Sequence, residues 1–381
     1  MTAEKEMSFA RVRDRALRLA KSVIVEGSAD RKGVEALLKI IFPGEDLSDP
    51  RFLTWFYDRN PRGPAREFVT KCGGAVTGHV AGVPMRLKIG RESMTGGLTV
   101  NAVTHPDFRG KGIYILLVEN LCGACLAAGF QIMYGFANLS SLRGGETHLR
   151  FVPMANIPLW IKPIDFPGIV RGGNLKPALL WRSAARALNP IVRTARSFIR
   201  PRRTSRTPEI SVMAEFGPDF DRFWDEVKND YDNILVRDRD FLNWRFVRQP
   251  TRRYELFAAR VEGRLLGYLV GSLATFEGMR WGLVVDLLVR NTAEGRRAAA
   301  HLVSAFNRSS EAEGAVMGGG LMFAHAPAAH GLRRSGFIRL PDRFLPRKFP
   351  AMFRWIAPSP PPLGFYDPKR WFLTLGDYDA V

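Results

Sequence analysis

A strand, a glycine-rich loop and a helix follow one another directly around residue 110, and this unit constrains the fold most. The apolar run 98–103 predicts a strand, and the loop after it contains Arg109-Gly110-Lys111-Gly112. Apolar residues then recur every four positions, which predicts a helix with one buried face that ends near Gly129. The members of that face are Ile113, Leu117, Leu121 and Cys125. A second apolar run, 130–136, predicts the next strand.

The loop has the properties of a phosphate-binding site. The first N–H groups of a helix have no intrahelical acceptor and carry a partial positive charge, which favours anions. Gly110 and Gly112 would let the backbone touch phosphate oxygens, and Arg109 and Lys111 add positive charge. The loop matches neither the Gly-Lys-Ser/Thr of a P-loop nor the Gly-x-Gly-x-x-Gly of a Rossmann fold. The alternative interpretation is a basic turn in front of an amphipathic helix.

This unit resembles the core of the GNAT acyltransferase superfamily, whose cofactor motif is Arg/Gln-x-x-Gly-x-Gly/Ala. Arg109 and Gly112 match the motif, whereas Tyr114 stands where Gly or Ala is usual. Residues 104–113 and 134–141 are similar to bacterial GNAT proteins often linked to polysaccharide modification. The resemblance implies that backbone N–H groups of the loop hold the CoA diphosphate and that one at the strand end contacts the thioester carbonyl. The cofactor-binding residues so implied are Val103, Arg109, Gly110, Lys111, Gly112, Ile113 and Tyr114.

Acyl transfer to an amine also needs groups that move protons. Family members often supply a Tyr after the corner at the end of the second strand, but no Tyr lies between 138 and 151 here. We expect Asn138 to position a substrate and Ser141 to act nearby, while His105 is either a base or simply a turn residue. Tyr114 could narrow the site or stack on the cofactor. Other polar candidates in this segment are Ser140, Glu146 and His148.

The second part of the chain repeats the first at low identity. Phe52-Leu53-Thr54-Trp55 returns as Phe241-Leu242-Asn243-Trp244, and the residue numbers differ by 189. Nearly the same offset relates Pro61 to Pro250, Phe68 to Phe257, Gly78 to Gly267, Gly82 to Gly271, and Gly144 to Gly331. A nearly constant offset indicates an internal duplication.

We therefore predict an α+β fold with two tandem GNAT-like acyl-CoA N-acyltransferase domains, each a mixed sheet flanked by helices. The predicted segments are an N-terminal basic helix (1–30), a GNAT domain with the CoA loop (31–165), a basic linker (166–208) and a second, degenerate GNAT-like domain (209–381). The second copy has 290–297 in place of the phosphate loop, with Glu294 near the expected anion. The alternative is that both copies bind CoA.

Charge is unevenly distributed along the chain. Lys and Arg number 56 against 37 Asp and Glu, a net charge of +19 that favours anionic partners. The segment 171–206 contains ten basic residues and no acid, interleaved with apolar ones. It is a linker, a peripheral contact with an anionic membrane, or a nucleic-acid contact, and nucleic acid is the partner we expect least. With three cysteines and no apolar run near ~20 residues, we expect a cytoplasmic protein, with peripheral contact at the inner membrane face as a further possibility.

The sequence therefore predicts an acyl-CoA-dependent N-acyltransferase. The expected donor is acetyl-CoA or another acyl-CoA, and the acceptor is an amine such as an amino sugar or envelope precursor. The alternatives are a Fem-type aminoacyl-tRNA-dependent transferase and a non-catalytic CoA-binding protein. No metal is expected, because Cys122 and Cys125 lie within a predicted helix and no second Cys/His pair completes a zinc site.

Overall fold

The computed structural model describes residues 24–26, 30–137, 139–165, 167–169, 207–345 and 348–378. Asn138, the basic segment 171–206 and most of the predicted N-terminal helix lie outside the described residues. The end of that helix prediction is wrong, because Ile24–Glu26 forms an edge strand antiparallel to residues 68–70. Two β-branched residues beside an open sheet edge favour a strand over a last helical turn.

The first part of the chain supplies most strands of one sheet, one strand of a second sheet and the helices between them. Its strands are β1 (Ile24–Glu26), β2 (Arg66–Cys72), β3 (Ala75–Ile89), β4 (Glu92–Thr104), β5 (Ile132–Phe136), β6 (Val152–Asn156) and β7 (Leu159–Pro163). Its helices are α1 (Arg31–Ile41), α2 (Pro50–Leu53), α3 (Ile113–Ala127) and α4 (Leu139–His148). The predicted strand, loop, helix and strand around residue 110 are confirmed.

The second part repeats this order. Its strands are β8 (Glu209–Met213), β9 (Asn233–Leu235), β10 (Glu255–Val261), β11 (Arg264–Phe276), β12 (Met279–Val289), β13 (Met317–Leu321), β14 (Ile338–Arg339), β15 (Pro350–Trp355) and β16 (Trp371–Phe372). Its helices are α5 (Asp219–Val227), α6 (Arg239–Leu242), α7 (Ala293–Ala312) and α8 (Ala329–Arg334). The predicted α+β class with two mixed sheets is confirmed.

The two sheets exchange strands. The first has the order β1-β2-β3-β4-β5-β15-β6, and β9 joins it beside β3; the second has the order β14-β7-β13-β12-β11-β10-β8. The neighbour of β5 is thus β15, from the second part of the chain, and β13 pairs with β7, from the first. Residues 31–165 and 209–381 therefore each contribute strands to both sheets.

A stacked tryptophan pair joins the two repeats. Trp55 and Trp244 belong to the repeated Phe-Leu-x-Trp segments, and each lies in a short π-helical turn after α2 or α6. Their rings stack at 5.0 Å, and each indole N–H donates to the other's backbone carbonyl, at 2.9 and 3.3 Å. The reciprocal contacts indicate that the repeats are related by an approximate two-fold axis.

Helix α3 packs closely on the first sheet because two sheet residues lack side chains. A Cβ at Gly78 would lie 2.7 Å from Ile113 Cγ2, and one at Gly82 would lie 3.0 Å from Leu121 Cδ1. The whole predicted apolar face of α3 is buried. The structure also buries Ile115, Leu116, Val118 and Cys122, so the helix is covered on more than the single predicted side.

Candidate functional site

The loop before α3 turns twice through the left-handed region of the backbone. A 3₁₀ turn, Pro106–Phe108, ends β4, and then Gly110 has φ +72° and Gly112 has φ +82°. Glycine adopts this conformation without the steric penalty that other residues meet. The helix begins directly after Gly112 with no side-chain cap.

The start of α3 is open to an anion. Within the described part of the chain, the backbone N–H groups of residues 110–115 have no hydrogen-bond acceptor. Lys111 Nζ lies 4.5 Å from the Phe108 ring and donates to the Asp107 carbonyl at 3.2 Å, while Arg109 Nε donates to the Thr104 carbonyl at 3.4 Å. Consecutive free N–H groups, a helix dipole and two nearby cations together can bind a phosphate group.

In the second part of the chain, neighbouring side chains bind the corresponding loop. Thr292 caps α7 by accepting from the Gly295 N–H at 3.1 Å, and Asp230 accepts from the Asn291 N–H at 2.9 Å. Arg290 forms ion pairs with Glu226 and Asp230 instead of facing solvent. A Cβ at Gly295 would lie 2.0 Å from the Arg290 carbonyl oxygen, so the start of α7 packs directly against the backbone of Arg290.

Strands β4 and β5 separate beside the open helix start. They pair in parallel at 96–98 with 132–134, and no pairing follows. A Cβ at Gly135 would lie 3.1 Å from the Thr99 carbonyl oxygen, so the strands are still close at that level. From Thr99 to Thr104, the β5-facing edge of β4 has no strand partner among the described residues. This edge can offer backbone groups to an extended ligand.

A buried polar network lies behind that edge. His79 of β3 contacts the Asn101 carbonyl (3.1 Å) and a Glu67 carboxylate oxygen (3.4 Å), and the Asn101 amide donates to the Tyr57 hydroxyl at 2.7 Å. Sequence reasoning missed this group and gave His79 no role. The only sequence signal was a His and a Glu in apolar strands, which does not reveal that the two meet.

The other predicted site residues lie around the loop. His105 Nδ1 accepts from the Asp107 N–H at 3.4 Å and its ring contacts Phe108, so it stabilises the turn. The Tyr114 ring packs on α4, 3.1 Å from the position of a Cβ on Gly144, and its hydroxyl donates to the Ser141 carbonyl at 3.5 Å. Burial raises the pKa of Tyr114 to about 12, so this hydroxyl stays protonated at neutral pH.

In the first domain, the separated strands β4 and β5 end beside an open helix start. The second domain repeats this order of strands and helix, but side chains bind the loop at its helix start. This arrangement defines a two-domain protein of GNAT-like fold. No protein-family model matches the sequence, and no curated protein has a significant sequence match. The chain is similar in structure to Saccharomyces cerevisiae N-myristoyltransferase with bound myristoyl-CoA (TM-score 0.60, 8% identity, 90% of this chain and 84% of that one). It is also similar to GCN5-related N-acetyltransferases from Anabaena variabilis (0.57, 9%, 88% and 73%) and Kribbella flavida (0.53, 12%, 88% and 71%). At these identities the likeness establishes the fold: the chain has two GNAT-like domains.

Two absences among the described residues bear on the site. No helix there combines the length and apolar character needed to cross a bilayer. No cluster of three or more His, Cys, Asp or Glu side chains there could hold a metal ion. Cys122 and Cys125 are both buried within α3.

Proposed function

We propose that the protein is an acyl-CoA-dependent N-acyltransferase with one acyl-CoA site per chain, located in the first domain. The observation that carries the proposal is the open start of α3 beside the gap between β4 and β5, together with the closed start of α7. Acetyl-CoA is the proposed donor and an amine, such as an amino sugar or envelope precursor, the proposed acceptor. A cytoplasmic location, with the basic segment 171–206 in peripheral contact with an anionic membrane, is part of the same proposal.

The backbone from Arg109 to Tyr114 would hold the CoA diphosphate. Its N–H groups from Gly110 to Tyr114 have no acceptor among the described residues, and Gly110 and Gly112 both adopt the αL conformation. The unpaired edge of β4 would hold the pantetheine arm by backbone hydrogen bonds. An N–H near Val103 would then face the thioester carbonyl, where negative charge develops as the amine attacks.

Proton transfer would fall to groups around the same loop. An ammonium acceptor must lose a proton before attack, and His105, about a quarter exposed just after β4, is the proposed base. It would act through Nδ1, the nitrogen that accepts from the Asp107 N–H in this structure. Asn138 and Ser141 would position the acceptor. The acyl donor itself supplies the activated thioester, so no metal is invoked.

Titration calorimetry of acetyl-CoA into wild type, Gly112→Asp and Gly112→Asn tests the proposal. Both variants place a side chain of similar size at φ +82°, a conformation that Asn and Asp tolerate better than most residues, and only Asp adds a charge. A carboxylate roughly 4–6 Å from the diphosphate should cost about 1–4 kcal/mol per charge, which is roughly a five- to thousandfold loss in affinity. A carboxylate at a helix start does not destabilise the helix.

The expected result is one site per chain in wild type, weakened far more by Asp than by Asn. Equal effects of the two variants would contradict an anion at this loop. Two sites per chain would contradict the closed second copy. No binding in wild type would contradict the acyl-CoA proposal and the non-catalytic CoA-binding alternative, and would leave the tRNA-dependent transferase.

A further inference from the structure

One residue within strand β4 has a backbone conformation that strands do not use. Asn101 has φ +47°, and no other non-glycine residue inside a described strand has a positive φ. It lies where the register of β4 against β3 shifts, between the pairs His79–Val103 and Ala81–Val100. Such a bulge re-aims the backbone, and a residue held in a rarely populated region persists only when its surroundings impose it.

Two side chains hold Asn101 in this conformation. The Asn101 amide donates to the Tyr57 hydroxyl at 2.7 Å, and His79 Nδ1 lies 3.1 Å from the Asn101 carbonyl oxygen. A carbonyl can only accept, so His79 Nδ1 carries a proton and donates it. Tyr57 and His79 are both fully buried and stack on each other at 6.0 Å, so neither contact competes with solvent.

Behind His79 stands an ion pair that fixes the imidazole. Its Nε2 lies 3.4 Å from Glu67 Oε2. Arg31 of α1 donates to Glu67 Oε1 at 2.8 Å, and its guanidinium also lies 5.0 Å from the centre of the Tyr57 ring. These contacts therefore connect α1, β2, β3 and the turn that contains Tyr57 to one backbone segment of β4.

The second domain pairs regularly at the corresponding place. There Tyr268, at the position that the repeat offset assigns to His79, pairs with Leu288 and donates to Asp286 at 2.7 Å, and Val270 pairs with Asp286. The register shifts only after this, between Val270 and Gly271. Asp286 does not have a positive φ, and it pairs with the buried Arg237. The left-handed residue thus occurs in the domain whose helix start is open, and not in the one whose helix start is closed.

We propose that Asn101, held by Tyr57 and by His79 with its Glu67–Arg31 ion pair, is a positioning residue for the acyl thioester. The group sets the backbone of residues 100–103 so that its free edge donates to the thioester carbonyl, and it does not contribute to holding the diphosphate. This inference rests on the proposed acyl-CoA site. It predicts that the network governs the preference for acetyl-CoA over CoA, because the two ligands share the diphosphate and differ at the thioester.

The test is the ratio of the dissociation constants of CoA and acetyl-CoA, measured by calorimetry for wild type and three variants. Tyr57→Phe removes the hydroxyl that holds Asn101, and Asn101→Gly removes both the side chain and the restraint on φ. Tyr231→Phe is the matched control, because Tyr231 is buried in the second domain and donates to the Val289 carbonyl, also at 2.7 Å. Thermal unfolding of each variant measures any general loss of stability.

We expect wild type to prefer acetyl-CoA and Tyr57→Phe to lower that preference roughly two- to tenfold, the contribution of one neutral hydrogen bond. Asn101→Gly should bring the ratio close to one, with CoA affinity unchanged, and Tyr231→Phe should leave the ratio as in wild type. An unchanged ratio in Tyr57→Phe, or a wild-type ratio of one, would overturn the inference while leaving the diphosphate site standing. Failure of wild type to bind either ligand would instead overturn the proposed function on which it rests.

Discussion

Replacing Arg237 by Met should destabilise the protein by about 4 kcal/mol, because it removes the cation from a buried cluster with two carboxylates. Arg237 is 1% exposed; its Nη2 donates to both oxygens of Asp377 at 2.8 Å, and its Nε lies 3.3 Å from Asp286. Burial lowers the pKa of Arg237, but the two carboxylates outweigh burial and raise it above its ordinary value. The guanidinium is therefore charged in the folded protein.

The magnitude follows from what Met leaves behind. Met fills a similar volume but leaves two buried carboxylates without a cation. Removing one partner of a buried ion pair in this way costs about 3–5 kcal/mol of stability. That is about a thousandfold in the unfolding equilibrium constant. Replacing both carboxylates as well, in Arg237→Met with Asp286→Asn and Asp377→Asn, should recover most of the loss, since a neutral cluster has no uncompensated charge.

Urea unfolding followed by tryptophan fluorescence at pH 7 and pH 5 measures these differences. Burial without a cation favours the protonated form of a carboxyl, so the single variant should regain stability relative to wild type as the pH falls. The triple variant should show no such pH-dependent gain. A loss below about 1 kcal/mol in Arg237→Met, or a triple variant no more stable than the single one, would refute the reasoning.

Two further predictions concern packing and thiol reactivity. Gly271→Ala should lower the free energy of unfolding by about 1–3 kcal/mol, because its Cβ would lie 2.2 Å from the Phe306 ring. Gly123→Ala, whose Cβ would have nothing within 4 Å, should instead stabilise α3 by about 0.5–1 kcal/mol. Urea unfolding compares the two variants, and equal effects would contradict the packing argument. Burial raises the pKa of the Cys122 thiol to about 12, so at pH 8 a thiol reagent should label the partly exposed Cys72 first and Cys122 only on unfolding. Rapid labelling of Cys122 in the folded protein would contradict this burial.

Much of the fold could be predicted because its signals are local. The four-residue spacing from Ile113 to Cys125 predicts α3, and the glycines before it predict the turn that opens the helix start. The repeated Phe-Leu-x-Trp segment predicts the duplication, and the structure places both copies in equivalent turns. The helix and turn signals come from residues close together in the chain, and the duplication is visible because one short segment occurs twice.

The candidate site was predictable only in part. The loop residues 109–114 surround the open helix start as the sequence indicates, but Tyr114 turns towards α4, where the absence of a side chain at Gly144 leaves it room. The Asn101 network was missed, because its members come from α1, β2, β3, β4 and the turn of Tyr57. No local pattern shows that a His, a Glu and an Asn from separate elements meet in the interior.

The sequence by itself determined the local elements and the position of the phosphate-type loop, because periodicity and glycine conformation act over a few residues at a time. It also determined the duplication, because similar segments recur at a nearly constant offset. Only the tertiary structure decided that β7 and β15 exchange sheets. It likewise decided that Asp230 accepts a hydrogen bond from Asn291, 61 residues away, in the loop before α7. It also decided that Asn101 is held left-handed inside a strand. These features depend on strand pairing and buried contacts between distant segments, and such contacts form only when the whole chain has packed.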